Sequence, residues 1–369
     1  MRSSLFFSSL SVLMTAVVAD CQSACVCTEY SQIAPAVANC TNIILQDIAA
    51  PPNGSIDLSK LQANSVVTFK GKTTFGFTNS SSFDSMTFGG KNVTITATPD
   101  AIIDGGGQLY WDGLGSNGGL PKPNHFIVVK MTQGSVIKNL HIQNWPAHLF
   151  SIGSSSNLTV RDIVLDNSAG DAPNNRSNGL AAAHNSDGVG VSGSSNILID
   201  NIKVHNQDDC VAVTSGNNIT VSNMYCFGSH GLSIGSIGGK ANNNVTNVLF
   251  TDSTLVNSTN GARIKSNFNT TGFISNITYS NIALQNIDTY GIDVQQDYLN
   301  GGPTGSPSNG VIISNILFKN VTGTTTSDGT NYYVLCGDGS CSNIAFEDVH
   351  ITGGGKNSSC NQPATGCPA

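Results

Sequence analysis

The feature that most restricts this chain is a recurrence. From Asn157 onward, short β-branched runs return behind an asparagine: "NLTVRDIVL", "NILIDNIKV", "NITVSNMYC", "NVLFTDSTL", "NITYSNIAL", "NILFKNVTG" and "NIAFEDVHI". Asn196 and Asn218 lie 22 residues apart, and other intervals stretch where glycine-rich loops intervene. A unit of roughly 20 to 30 residues cannot bury its own apolar face, so it must stack on its neighbours as a solenoid. The runs alternate apolar and polar residues and are punctuated by Gly, Asn and Ser, which marks strands and turns rather than helices. Three short strands per unit, coiled in one direction, make a parallel β-helix. A propeller would need antiparallel blades of about 40 residues, and a leucine-rich horseshoe would need Leu at fixed offsets. Neither pattern is present. The segments "SVVTFKGKTTFGF" and "NVTITATPDAIIDGGG" read as the first coils. "CTEYSQIAPAVANC" reads as a short N-terminal helix that caps the open end of an all-β, single-domain solenoid.

Composition agrees: 11% of the 369 residues are charged and 40 are glycine. Residues 1–19, "MRSSLFFSSLSVLMTAVVA", have the layout of a signal peptide, so residues 20–369 are expected to form a secreted, extracellular domain. No later apolar run reaches the roughly 20 residues that span a bilayer, so no membrane anchor is expected. Ten cysteines suit an oxidising compartment. Their spacing lacks the paired Cys-x-x-Cys of a zinc site, and no metal or other cofactor is expected. About a dozen Asn-x-Ser/Thr sequons, among them Asn92, Asn157, Asn218, Asn276 and Asn320, also suit a secreted surface.

Stacking gives the charged motifs neighbours, because residues one coil apart lie about 4.8 Å apart. Asp187 of "NSDG" precedes Asp208 of "NQDD" by 21 residues, and His230 of "SHGLSIGS" follows Asp209 by 21. These residues therefore occupy three successive rungs of one face. The next coil adds Arg263 and Lys265 of "RIK", alternate strand residues that point to one side. Crowded carboxylates cannot all ionise freely, so one is pushed toward its protonated form and can serve as a general acid. The others can activate water, the division of labour that glycosidic hydrolysis requires. Arg263 and Lys265 suit an acidic sugar.

"NSDG", "NQDD", "SHGLSIGS" and "RIK", in this order, resemble the signature set of fungal polygalacturonases, secreted pectin-degrading glycoside hydrolases. The likeness runs over nearly the whole mature chain, including "NHFIVV", "IQNWPAH", "DTYG" and "VQQDYLNGGPTG". It implies a right-handed parallel β-helix that cleaves internal α-1,4 bonds of demethylated homogalacturonan with inversion. It further implies that Asp208 is the proton donor, that Asp187 and Asp209 hold the nucleophilic water, and that His230 supports the acid. Asn185, Arg263, Lys265 and Tyr290 would bind substrate. The family also implies the bridges Cys25–Cys40, Cys210–Cys226, Cys336–Cys341 and Cys360–Cys367, leaving Cys21 and Cys27 for an extra one. Expected partners are polygalacturonate and a plant polygalacturonase-inhibiting protein, with no nucleic acid, for a monomeric enzyme.

Departures from the family pattern are specific. Gly190 replaces an acidic residue, Val189 an aromatic one, and Ser229 a glycine, which is expected to add bulk near the cleft. These changes raise the alternative of a catalytically weakened homologue that binds pectin or an inhibitor. A pectate lyase on the same fold would need a calcium site and a basic catalyst. Inverting enzymes usually separate their carboxyls by roughly 6.5 to 9.5 Å, whereas stacked rungs place neighbours closer. His205 and Gln207 read as supporting residues. A net charge of −7 repels a polyanion at long range, so Arg263 and Lys265 must offset it at contact. Lys265→Ala is accordingly expected to raise the Michaelis constant more than it lowers turnover.

Overall fold

The asparagine that opens each run turns out to be a corner. Asn157, Asn196, Asn218, Asn247 and Asn276 hold φ between 50° and 57°, the left-handed region that asparagine tolerates better than other side-chain-bearing residues. A second corner column, Asp162, Asn201, Asn223, Asp252, Asn281 and Asn320, holds φ between 49° and 56°. The corner side chains bond from rung to rung: Asn196 Nδ2 donates to Asn157 Oδ1 (3.1 Å), Asn218 to Asn196 (2.8 Å) and Asn320 to Asn281 (3.0 Å). The repeated asparagine thus turns the chain and ties its turns together.

The computed structural model describes residues 24–300 and 302–368. The expected signal peptide and Cys21 lie outside the described residues, and Cys27 is a buried free thiol among them. The architecture is a right-handed parallel β-helix, the hand that twisted parallel strands impose on their crossovers. One complete coil reads Val211–Val213, Gly216–Ser222, Tyr225–Phe227. In several coils before and after it the last two strands merge across the corner into one long bent strand, as in Ser194–His205 and Asn244–Val256.

The interior is filled by aliphatic side chains and by an aromatic stack. Phe250, Tyr279, Phe318 and Phe346 lie in successive coils with ring centroids 4.7, 5.2 and 5.3 Å apart. The predicted cap is a 3-10 turn, Tyr30–Gln32, leading into the helix Ile33–Asn39. Ile33, Ala36 and Val37 are buried over the first coils, and the Cys25–Cys40 disulfide ties both ends of this segment. The other three implied disulfides also form. Among the described residues no helix is long and apolar enough to cross a membrane.

The sheet that carries the charged motifs runs through His125–Thr132, His148–Gly153, Val189–Ser192, Val211–Val213, Leu232–Ile237, Asn260–Asn267 and Tyr290–Leu299, all parallel. Phe150, Val189, Val211 and Leu232 are successive register partners. The residues two positions before them are His148, Asp187, Asp209 and His230, which therefore form one column.

Candidate active site

Two adjoining cavities of about 550 and 280 Å³ make a groove over this sheet, and Asp208, Asn185 and Lys265 line both. Asp187, Asp208 and Asp209 bring carboxylate oxygens within 4.8 Å of one another, closer than the usual inverting separation, as the stacking argument expects. Such a cluster can draw a cation, yet here imidazole, ammonium and guanidinium groups already compensate it, and we read it as an acid–base site.

The three carboxyls are held differently. Asp208 Oδ1 accepts from the backbone N–H of Asp209 (2.7 Å) and lies 3.1 Å from His230 Nδ1; Asn185 Nδ2 donates to its Oδ2 (3.1 Å). Burial alone would raise the Asp208 carboxyl, but the positive charge and hydrogen bond of His230 outweigh it and hold the group far below the carboxylate range. Burial would likewise lower His230, and Asp208 reverses this, so the imidazole is raised. Asp209 accepts from Ser233 Oγ (2.6 Å) and Lys265 Nζ (2.8 Å). Asp187 has the poorest company. Burial, then the charges of Asp208 and Asp209, push its carboxyl well above the ordinary range, with Lys265 and His230 opposing.

Asp187 is therefore the carboxyl that burial and crowding push up. Asp208, the acid implied by resemblance, is held down by the neighbouring imidazole of His230. The reason is partner assignment: the imidazole and the ammonium serve Asp208 and Asp209, leaving Asp187 with His148 Nε2 at 3.7 Å.

The sequence-predicted binding residues meet in this groove, but several are already engaged. Asn185 Oδ1 accepts from the Ser116 N–H and hydroxyl (both 3.1 Å), so its amide links a loop to Asp208. Lys265 is only 6% exposed, against Asp209. Arg263 Nε donates to the buried carboxylate of Asp293 (3.1 Å), and its guanidinium lies 3.9 Å from Asp209. Tyr298 lies 5.5 Å from Arg263 and 5.4 Å from Lys265 by its ring centroid. Tyr290 lines the groove and stacks on Tyr333 at 5.1 Å. His205 and Gln207 both bond to Asp171, and Gln207 Oε1 also accepts from the hydroxyl of Ser186, the residue before Asp187 (2.8 Å).

The departures resolve individually. Val189 is fully buried and packs into the solenoid. Ser229 is also fully buried, bonding to Ser258 Oγ (3.0 Å), so its bulk points inward and the expected crowding of the cleft does not occur. Gly190 lines the groove; a Cβ there would meet only the Phe150 carbonyl oxygen, at 3.2 Å. The lost acidic side chain leaves all three carboxylates and His230 in place.

Sequence reasoning missed His148, Ser233 and Asp293. Ser233, Arg263 and Asp293 are register partners in adjacent strands, a relation visible only once the loops between them are aligned.

Comparison with known proteins agrees with this geometry. The chain is 58% identical over 344 residues to a probable endopolygalacturonase D of Emericella nidulans, covering 93% of this chain and 66% of the relative. It is 58% identical over 347 residues to a polygalacturonase of Fusarium fujikuroi, covering 94% and 93%. Among solved structures, endopolygalacturonase I from Stereum purpureum, complexed with two galacturonates, superposes with a TM-score of 0.77 at 31% identity, covering 91% of this chain and 96% of that one. The family model described as glycosyl hydrolases family 28 matches residues 40–369. The chain belongs to glycosyl hydrolase family 28.

Proposed function

We propose that this protein is a secreted endopolygalacturonase that hydrolyses α-1,4-galacturonosidic bonds of demethylated homogalacturonan with inversion. The observation that carries the reading is the cluster itself: three carboxylates within 4.8 Å, an imidazole 3.1 Å from one and an ammonium 2.8 Å from another, at the centre of an open groove. The intact cluster and the 58% identity to curated polygalacturonases do not favour the weakened-homologue alternative. Secretion of residues 20–369 is supported by the leader-like first residues and by four disulfides.

In this reading Asp208 protonates the leaving oxygen, drawing on the proton that His230 Nδ1 holds beside it. Asp187 and Asp209 hold the attacking water, and Asp187, once ionised, takes its proton. Lys265 and Ser233 hold Asp209 in place. Arg263, backed by Asp293, and Tyr290 face the sugar acids.

Reducing-sugar release from polygalacturonate, with Asp208→Asn as the blank, tests the assignment. Wild type should release reducing ends, and the variant should lose on the order of 10² to 10⁴ in turnover. Equal release by both would dismiss Asp208 as the acid. The anomer of the first product reports inversion directly.

A further inference from the structure

The proposed hydrolysis leaves the site with one proton out of place. Cleavage breaks the bond between the anomeric carbon and the bridging oxygen, which takes a proton from Asp208. The attacking water forms the new C–O bond and gives its proton to Asp187. After each turnover Asp208 is a carboxylate and Asp187 an acid, the reverse of what the next turnover needs. His230, 3.1 Å from Asp208 and partly open to solvent, can reload the acid. The base must also lose its proton, and Asp187 is less open to solvent than His148 beside it, 18% against 26%.

His148 stands beside that carboxyl. It opens the strand His148–Gly153, and the backbone N–H of the next residue, Leu149, donates to the Asp187 carbonyl (2.9 Å). Its Nδ1 lies 2.9 Å from the main-chain carbonyl oxygen of Asn124. A carbonyl only accepts, so Nδ1 carries the hydrogen and the neutral ring presents Nε2 as an acceptor. That atom is 3.7 Å from Asp187 Oδ1, and catalytic contacts of this length in empty sites tighten when substrate enters. The side chain is 26% exposed, so the ring also meets solvent.

The other charged groups around it do not compete for this role. His125 on the neighbouring strand lies tilted against its ring at 5.5 Å and is itself held low by burial and then by His148, with Asp84 acting in the opposite sense. Asp208 and Asp209 lie behind Asp187, and Lys240 and Lys265 line the same groove. Of these groups, Asp187 alone is placed to give a proton to Nε2.

We infer that His148 is a positioning residue for Asp187: it accepts the proton that Asp187 takes from water and passes it to solvent, restoring the carboxylate base. The O–H bond at Asp187 breaks and an N–H bond forms at Nε2, giving a carboxylate–imidazolium pair. The imidazolium then releases the same proton to bulk water, so no further reactant is needed. This inference rests on the assignment of Asp187 as base.

The test is the pH profile of turnover for His148→Gln. An imidazolium beside a carboxylate lowers the pH at which the carboxylate forms. Removing it should move the acidic limb of the profile up by about one pH unit, a loss of about tenfold in turnover on that limb, with the Michaelis constant little changed. Imidazole added to His148→Ala should restore turnover, which a structural role would not allow. A His148→Gln profile superimposable on wild type overturns the inference, as does a uniform loss without a shifted limb or imidazole rescue. Asp187→Asn separates the two readings. If it stays active, the base assignment itself fails; if it is inactive while the His148→Gln limb is unmoved, only the role of His148 fails.

Discussion

Lys265 offers the sharpest test of how this site is held together. Its Nζ lies 2.8 Å from Asp209 Oδ2, and only 7% of its side chain and 4% of that of Asp209 reach solvent. At an effective dielectric of about 20 the gross attraction at this distance is about 6 kcal/mol. Much of it offsets the desolvation of both ions, so the net value of the pair is far smaller. Truncating one partner is another matter, because it leaves Asp209 buried with Ser233 at 2.6 Å and Arg263 at 3.9 Å. That loss is about 3 kcal/mol. With an unfolding entropy of about 2.1 cal/mol/K per residue, it lowers the melting temperature of Lys265→Met by about 4 °C. Replacing both ions, in Lys265→Met with Asp209→Leu, should recover most of the loss, since a packed apolar pair is about as stable as a buried ion pair. Thermal unfolding of the two singles and the double closes the cycle. A single variant melting with the wild type, or a double that is merely additive, would refute the claim that the ammonium compensates a buried carboxylate. The contact also extends the sequence-based expectation for Lys265. Turnover should fall together with the rise in Michaelis constant, because the ammonium helps to keep Asp187 ionisable.

Asp293 is pushed up to about 7, by burial that the Arg263 guanidinium only partly opposes. A carboxyl raised in the folded state binds its proton more tightly there than in the unfolded chain. Its contribution is therefore full below about pH 4 and lost as pH rises to about 7. Asp293→Asn should flatten the melting temperature against pH across that window, and an unaltered slope would show that the group does not titrate there. Removing the Cys210–Cys226 bridge by paired serine substitution opens a link between residues 16 apart and should cost about 3 kcal/mol, read by denaturant unfolding; a cost under about 1 kcal/mol would contradict the chain-entropy account. Gly190→Asp should fold normally, because the new side chain points into the groove, but the added negative charge should raise the Michaelis constant for polygalacturonate several-fold. A large drop in its melting temperature would mean that the 3.2 Å approach to Phe150 is not relieved.

Much of the fold was legible because its signal repeats: runs of alternating residues behind an asparagine specify strands, and their recurrence specifies stacking. The corner role of that asparagine was not, since a left-handed φ leaves no mark on one sequence beyond the residue type. The column of Asp187, Asp209 and His230 could be read because two successive intervals are close to one coil. His148 belongs to the same column but is 39 residues from Asp187, and the loop over residues 167–188 hides the register. Ser229 shows the converse limit. Its place beside His230 points to the cleft, but its hydroxyl turns inward to Ser258. Crowding can be inferred from spacing, but which carboxyl is pushed up depends on partners contributed by other coils.

The proposed catalytic column draws one residue from each of several adjacent coils midway along the solenoid, between His148 and His230, with the cations one coil further on. In a stack where each layer touches only its neighbours, unravelling begins at the two ends and moves inward. Heat inactivation should then report the fate of the middle layers alone. A molecule with a frayed cap or loosened last turns would still cut its substrate at full speed, so surviving activity is a poor gauge of how much of the chain remains folded.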